Sequence, residues 1–283
     1  MNVIIEDESK KNKRLKIFYV GILIVCVFAV IFAMVLQISK RNEVKVESKI
    51  PQITEAQKSQ YKDEFENIFN NKVNYLENNS YKISKIDNSK EIIYIGYKNN
   101  DNKINDYELN VNIPYININN SIIEDFNIKI KDIFEKKAKS VINTQNSNII
   151  YTVNYSAYIS NNILSLVVRS TLKEGTNPQR DIIQTYNYDL TNQKEYTIDN
   201  ILEAKGITKK EANQKIKEEI KTQQEKSEEL EKLGYTTYKR DYTSDMYSIN
   251  NVTEYFIGKD NALYIIYAYG NENNTNEMDV IIM

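Results

Sequence analysis

An α+β architecture is expected from this chain: antiparallel sheets with packed amphipathic helices, preceded by a single N-terminal transmembrane helix. The anchor is signalled by Ile17 to Ile38, an uncharged apolar run with cations on both flanks. The helices are signalled by apolar residues recurring every three or four positions. The sheets are signalled by alternating runs rich in Ile, Val and Tyr.

As a helix, residues 17–38 would measure ~33 Å, enough for a hydrocarbon core of ~30 Å. Lys10, Lys11, Lys13, Arg14 and Lys16 precede the run, and only Lys40 and Arg41 follow it closely. That excess places the N-terminus in the cytoplasm and residues 39–283 outside. The run exceeds the ~7–15 residues of a signal-peptide core, and no A-x-A cleavage site follows, so it reads as a retained anchor. Leu23, Ile24 and Val25 precede Cys26 where lipoprotein processing needs a small residue, so Cys26 reads as an apolar residue facing lipid. The expected organisation is a cytoplasmic tail (1–16), the membrane helix (17–38), a linker with Pro51 (39–53), an N-terminal α+β subdomain (54–147) and a C-terminal α+β subdomain (148–283).

From Thr54 the pattern is helical, with Tyr61, Phe65, Ile68, Phe69 and Leu76 forming one stripe that ends at Asn78–Ser80. Ile92 to Tyr97 reads as a short strand and Asn99 to Asn102 as a turn. Tyr107, Leu109, Val111 and Ile113 alternate as a strand that Pro114 closes. A second amphipathic helix starts near Asn120 and carries Ile122, Ile123, Phe126, Ile130, Ile133, Phe134, Ala138 and Val141 on one side. A meander follows: Ile150 to Ile159, an Asn161–Asn162 turn, Ile163 to Leu172, a loop over 173–180, then Asp181 to Leu190. Asn tolerates positive φ, which suits the tight turn. Tyr196 to Leu202 is short and mixed. Thr208 and Glu211 have capping-box spacing and open a helix with Ala212, Ile216 and Ile220 as a narrow stripe. Strands over Val252–Ile257, Leu263–Tyr269 and Met278–Ile282 end the chain.

Composition excludes several classes of activity. The 283 residues contain no histidine, which removes Ser-His-Asp and Cys-His nucleophiles and every His-ligated zinc site. The single cysteine falls in the anchor, so the remainder has neither thiol nor disulfide and must be held by its core. The net charge of −2 gives no basic excess for nucleic acid. Only seven glycines occur, and none forms a phosphate-binding fingerprint. The 22 tyrosines fit half-buried strand faces and, with Asn, Lys and Ile, reflect AT-rich codons. Carboxylate pairs at Asp63–Glu64, Glu124–Asp125, Glu218–Glu219 and Glu228–Glu229 lie on polar helix faces. Asp101, Asn102 and Asp106 lack the register of a calcium loop. No catalytic residue, metal site or cofactor is assigned.

Several passages, in order, resemble the extracytoplasmic domain of the RsiV-type lysozyme-sensing anti-sigma factors, also found in membrane-anchored peptidoglycan deacetylases. They are Ile113-Pro114-Tyr115 before a helix with Asn127 and Ile130, Asn162-Ile163-Leu164-Ser165-Leu166 at the meander turn, Tyr186-Asn187-Tyr188-Asp189-Leu190 followed by Asn192-Gln193-Lys194 and Ile198-Asp199-Asn200-Ile201-Leu202, and the closing pair Tyr255-Phe256-Ile257 and Asn261 to Gly270. The resemblance covers roughly residues 55–283. Where the family carries a Gly-Gly-Ala-His-Gly loop, this chain has Glu174-Gly175-Thr176-Asn177-Pro178-Gln179-Arg180.

The resemblance implies a non-enzymatic binding or sensing protein of a bacterial cell surface, recognising a wall component such as peptidoglycan or a lysozyme-like secreted protein. Loops 173–180 and 268–275 would make the contacts, with Glu174, Asn177, Arg180, Tyr269 and Asn271 as candidate ligand-binding residues. One alternative is an anti-sigma-type regulator. A tail of sixteen residues argues against a sigma-factor partner, because it cannot form the several helical turns such an interface buries. The other alternative is a carboxylate-dependent wall hydrolase.

Overall fold

A computed structural model describes residues 53–76, 79–271 and 275–283. The expected tail, membrane helix 17–38 and nearly all of the linker lie outside these residues. Among the described residues no helix is long and apolar enough to cross a membrane.

The described residues fold as α+β with two sheets. The larger has seven strands. They are β1 (Lys72–Tyr75), β2 (Ile93–Lys103), β3 (Tyr107–Ile116), β4 (Ile149–Ser160), β5 (Ile163–Glu174), β6 (Arg180–Asp189) and β7 (Lys194–Glu195). Their order is β2-β3-β4-β5-β6-β7, with β1 also on β4. The smaller sheet is β10-β9-β8, built from β8 (Glu254–Ile257), β9 (Leu263–Ala268) and β10 (Met278–Ile282). Strands from both sides of the expected 147/148 boundary share the larger sheet.

That sheet is mixed, not purely antiparallel as expected. One edge of β4 is divided between two parallel partners. β3 takes its first half, with Tyr107 opposite Ile149, and β1 its second half, with Lys72 opposite Ser156. Asn71 plugs the gap between them. Its N–H donates to the Tyr155 carbonyl at 2.8 Å, and its Oδ1 accepts from the Tyr155 N–H at 3.1 Å. A positive φ of 59° aims both groups at β4. Asparagine tolerates that region better than other side chains.

This plug explains why the expected first helix stops early. The helix α1 (Glu55–Asp63) starts on a Thr54/Gln57 capping box but ends well before Leu76. A single 3₁₀ turn, Phe65–Asn67, follows, and the chain then becomes β1. Pairing with β4 overrides the local apolar period. Similarly, β2 runs straight through the expected turn at 99–102, and the chain reverses at Asn105 (φ 66°). Pro114 does not close β3. It sits beside a bulge at Ile95/Tyr97 on the neighbouring strand, where a missing N–H is tolerated.

The second expected helix is α2 (Ser121–Ile130). It continues through a π turn, Lys131–Glu135, into α3 (Lys136–Ile142). Ile123, Phe126, Ile130, Phe134, Ala138 and Val141 pack on one face of the large sheet, against residues such as Val111, Val153 and Leu166. Ile122 lies outside this stripe and is exposed. Residues 196–202, read as mixed, contain most of a short helix, α4 (Ile198–Lys205). The long polar helix α5 (Lys209–Lys232) starts on the expected Thr208/Glu211 box. Both pack with Leu263, Ile265 and Ile281 of the small sheet. Between the two sheets lies a third cluster. There α1 contributes Tyr61, the 3₁₀ turn after it contributes Phe65, and Phe256 stacks on Tyr264 at 4.4 Å.

The sheets are joined through β8. Ser165, Thr185 and Asn187 of the large sheet bond to its backbone. The Tyr255 N–H donates to Thr185 Oγ1 (2.9 Å), Asn187 Nδ2 donates to the Tyr255 carbonyl (2.8 Å), and the Ile257 N–H donates to Ser165 Oγ (3.2 Å). In return, Glu254 accepts from the Thr185 N–H at 2.7 Å and from its hydroxyl at 3.0 Å. Burial pushes the Glu254 carboxyl up to about 7, although the Thr185 bonds oppose the shift.

Folding therefore favours the protonated form of Glu254. Its contribution to stability is complete below the ordinary value of 4.5, falls as pH rises toward about 7, and stays lost above that. Chemical denaturation of the parent and of Glu254→Gln across this range is expected to show the variant gaining on the parent, by on the order of 3 kcal/mol by pH 8. Parallel pH profiles for the two proteins would refute the assignment.

Candidate functional site

Loops and turns gather at two ends of the large sheet. At one, the β5–β6 loop meets the β9–β10 connection. At the other, three asparagine-bearing turns converge.

The first end holds the residues singled out from the sequence, and the two loops do touch. Arg180 Nε donates to the Gly270 carbonyl at 2.6 Å, and the Asp181 N–H donates to the Thr275 carbonyl at 3.1 Å. Most of the named side chains are committed internally. Glu174 pairs with Lys137 of α3 at 2.7 Å. The Asn177 carbonyl accepts from Lys173 Nζ at 2.5 Å, and its side chain is exposed. Tyr269 is 3% exposed and stacks on Tyr238 at 3.9 Å. Its hydroxyl donates to Asp279 and meets the Tyr247 hydroxyl at 3.0 Å. Burial and the neighbouring Asp279 carboxylate both raise its pKa far above the ordinary phenol value. The backbone of Asn271 lies in the 3₁₀ turn after β9.

Asp279 is also the anchor for Arg240, which is almost fully buried. Arg240 Nε donates to Asp279 at 2.7 Å, and its Nη atoms reach Ser227 of α5 and Glu277. Burial works against the charge on Arg240, but the bond and charge of Asp279, with Tyr269 and Glu277, together outweigh it and hold the guanidinium ionised. This network joins α5 and the segment after it to β10. It is a structural clamp.

The second end was not found from the sequence as a site. The β4–β5 turn brings Asn161 (φ 50°) and Asn162 (φ 63°). The turn before β7 brings Thr191 and Asn192. The β8–β9 turn brings Asp260 (φ 52°) and Asn261 (φ 58°). Asn161, Asn162, Thr191, Asn192 and Asn261, together with Tyr196 and Ala204, line an open concavity of about 450 Å³ that Ile163 and Ile257 also face.

Each turn is braced from outside. The Leu190 N–H donates to the Asn162 carbonyl at 2.8 Å, linking the first two. Asp189 accepts from the N–H groups of Thr191 and Asn192 and from Asn192 Nδ2, so both its oxygens are engaged. The third turn is held from three directions. Tyr61 of α1 donates to Asp260, Ser160 Oγ donates to Asn261 Oδ1 at 2.9 Å, and Lys205 Nζ donates to the Asn261 carbonyl at 2.9 Å. Burial lowers the Lys205 pKa to about 8, with Lys58 adding to the effect. The signal for each turn was present in the sequence as Asn pairs and Asn-Gln or Asp-Asn steps. Their convergence was not, because they lie about 30 to 100 residues apart.

The four carboxylate pairs noted in the sequence are solvent-facing. The exception is Glu219, which is partly buried and bonds Lys62 and Lys215.

No family model matches the chain, and no curated protein does. Among solved structures the chain is similar to a member of the DUF3298 family from Bacteroides fragilis NCTC 9343. The match covers 62% of this chain and 80% of that one, with 10% identity and a TM-score of 0.35. It is also similar to a DUF3298 family protein from Pseudomonas aeruginosa PAO1. That match covers 72% and 90% of the two chains, with 8% identity and a TM-score of 0.37.

Gly270 is where the two loops press together. A Cβ there would stand 2.0 Å from the Asp181 carbonyl oxygen and 2.7 Å from that of Thr275, both backbone atoms. Gly270→Ala is expected to destabilise the protein by about 1–3 kcal/mol, the cost of forcing packed backbone apart. A urea midpoint equal to that of the parent would show that the loops are not in contact.

Proposed function

We propose that this chain is a non-enzymatic binding or sensing protein of a bacterial cell envelope. Residues 17–38 hold the folded part outside the membrane, and a wall component or secreted protein is recognised at the end of the large sheet where the three turns meet. The observation that carries this reading is the bracing of those turns. A rigid sheet presents loops whose geometry is set before any ligand arrives, which lowers the ordering cost of binding. The order of RsiV-like passages along residues 55–283 supports the same reading, since the meander turn and the 186–202 passage both contribute to this end.

The chemistry available agrees with recognition rather than turnover. The carboxylate nearest the concavity, Asp189, has both oxygens tied to its own turn. Lys205 sits behind Asn261 and faces its carbonyl. A general acid–base pair needs two groups free to exchange protons with a substrate, and neither of these is free to do so.

The test uses the full chain in detergent micelles, titrated with lysozyme and, separately, with soluble peptidoglycan fragments. Saturable binding to one of them, with the fragments recovered uncleaved, is the expected outcome. Silence toward both would remove the recognition reading. Cleavage that disappears on a single Asp or Glu substitution would replace it with a hydrolase.

A further inference from the structure

We infer that the concavity between the three turns binds a neutral acetamido sugar of one or two rings. The inference rests on the recognition reading above and narrows its ligand.

Charge is the first argument. Among the described residues the rim offers amides and hydroxyls, and its one carboxylate, Asp189, has no oxygen left free. Both oxygens of Asp189 are occupied by three bonds within its turn, and the Lys205 ammonium is 1% exposed behind Asn261. A phosphate or carboxylate ligand would meet no free cation there, and an ammonium ligand would find no free carboxylate oxygen to bond, so burying its charge would be costly.

Hydrogen-bonding capacity is the second. Four rim groups have no protein partner among the described residues: Asn161 Oδ1, Asn192 Oδ1, Asn261 Nδ2 and the Thr191 hydroxyl. They form a mixed set of acceptors and donors. Sugar hydroxyls are both donor and acceptor, and an acetamido group carries one N–H and one C=O, so both match such a set. The turns offer side-chain amides rather than a free strand edge, so an extended peptide would have no ladder to join.

The floor is the third argument. Ile163, Ile257 and Ala204 with the Tyr196 ring give an apolar base under a polar rim. A pyranose has the same division, with C–H bonds on its face and hydroxyls at its edge, and the acetyl methyl adds an apolar group. The volume of about 450 Å³ falls in the ~300–1,000 Å³ range of small-ligand sites.

The experiment is saturation-transfer NMR with calorimetry on the full chain in detergent micelles. The probes are N,N′-diacetylchitobiose, its deacetylated cationic form, and cellobiose. The acetylated disaccharide is expected to bind saturably and more tightly than the other two, with its acetyl methyl most strongly saturated. Two variants locate the site. Asn161→Gly combined with Asn192→Ala keeps the positive φ of the first turn and the backbone bonds to Asp189, and should weaken binding about tenfold by removing two hydrogen bonds. Ala204→Phe fills the floor from the helix side without touching a turn, and should abolish binding. No saturable binding of the acetylated sugar, equal affinity for either control sugar, or unchanged affinity in both variants would overturn the inference. If lysozyme or larger wall fragments still bind the same preparation, only the sugar assignment falls. If nothing binds, the recognition reading falls with it.

Discussion

β8 is held to the large sheet by side chains and not by a ladder, and the arrangement of the molecule follows from that. Ser165, Thr185 and Asn187 satisfy the backbone of β8, while Glu254 satisfies the backbone of β6. Buried backbone groups need partners wherever two sheets meet. Here those partners fix a single position for the small sheet along the large one. A slip of one residue would leave a hydroxyl or amide facing the wrong atom. Both ends of the molecule inherit this register. It sets Asn261 beside Ser160 at one end and Gly270 beside Asp181 at the other.

Much of the architecture was legible in the sequence because the signals were local. The Asn161–Asn162 hairpin, the Thr208/Glu211 cap and the last strand at Met278–Ile282 stand where the pattern put them. The departures occur where distant pairing overrides a local period. Tyr61 and Phe65 lie on helical turns, as expected, but Leu76, the last of that expected stripe, follows a strand. Asn99 to Asn102 has turn composition yet pairs along β3, since a ladder with a good partner outweighs weak intrinsic preference. Pro114 marks a bulge in its neighbour, which a single strand cannot reveal.

The candidate site was legible in pieces. Residues 173–180 and 268–275 were expected to act together, and they do adjoin. Tyr269 shows the limit of that reasoning. A tyrosine at a strand end looks like a contact residue, but here Asp279 and Tyr238 take its hydroxyl and its ring into the core. At the other end the asparagines read as plain turn chemistry. Their shared concavity depends on Lys205, Ser160 and Tyr61, which arrive from three separate elements. Positive φ at an asparagine is a local property, whereas a cavity is a property of topology.

The divided edge of β4 also governs the order in which the chain can assemble. During synthesis Lys72–Tyr75 emerges first, yet its slot is formed by Ser156–Ile159, more than eighty residues downstream. Until those residues leave the ribosome the segment has hydrogen-bonding groups and no strand to take them. Closing that long loop comes at an entropic disadvantage and places the event late. The first strand of the sheet in chain order therefore cannot take its place until the second half of β4 is there to receive it.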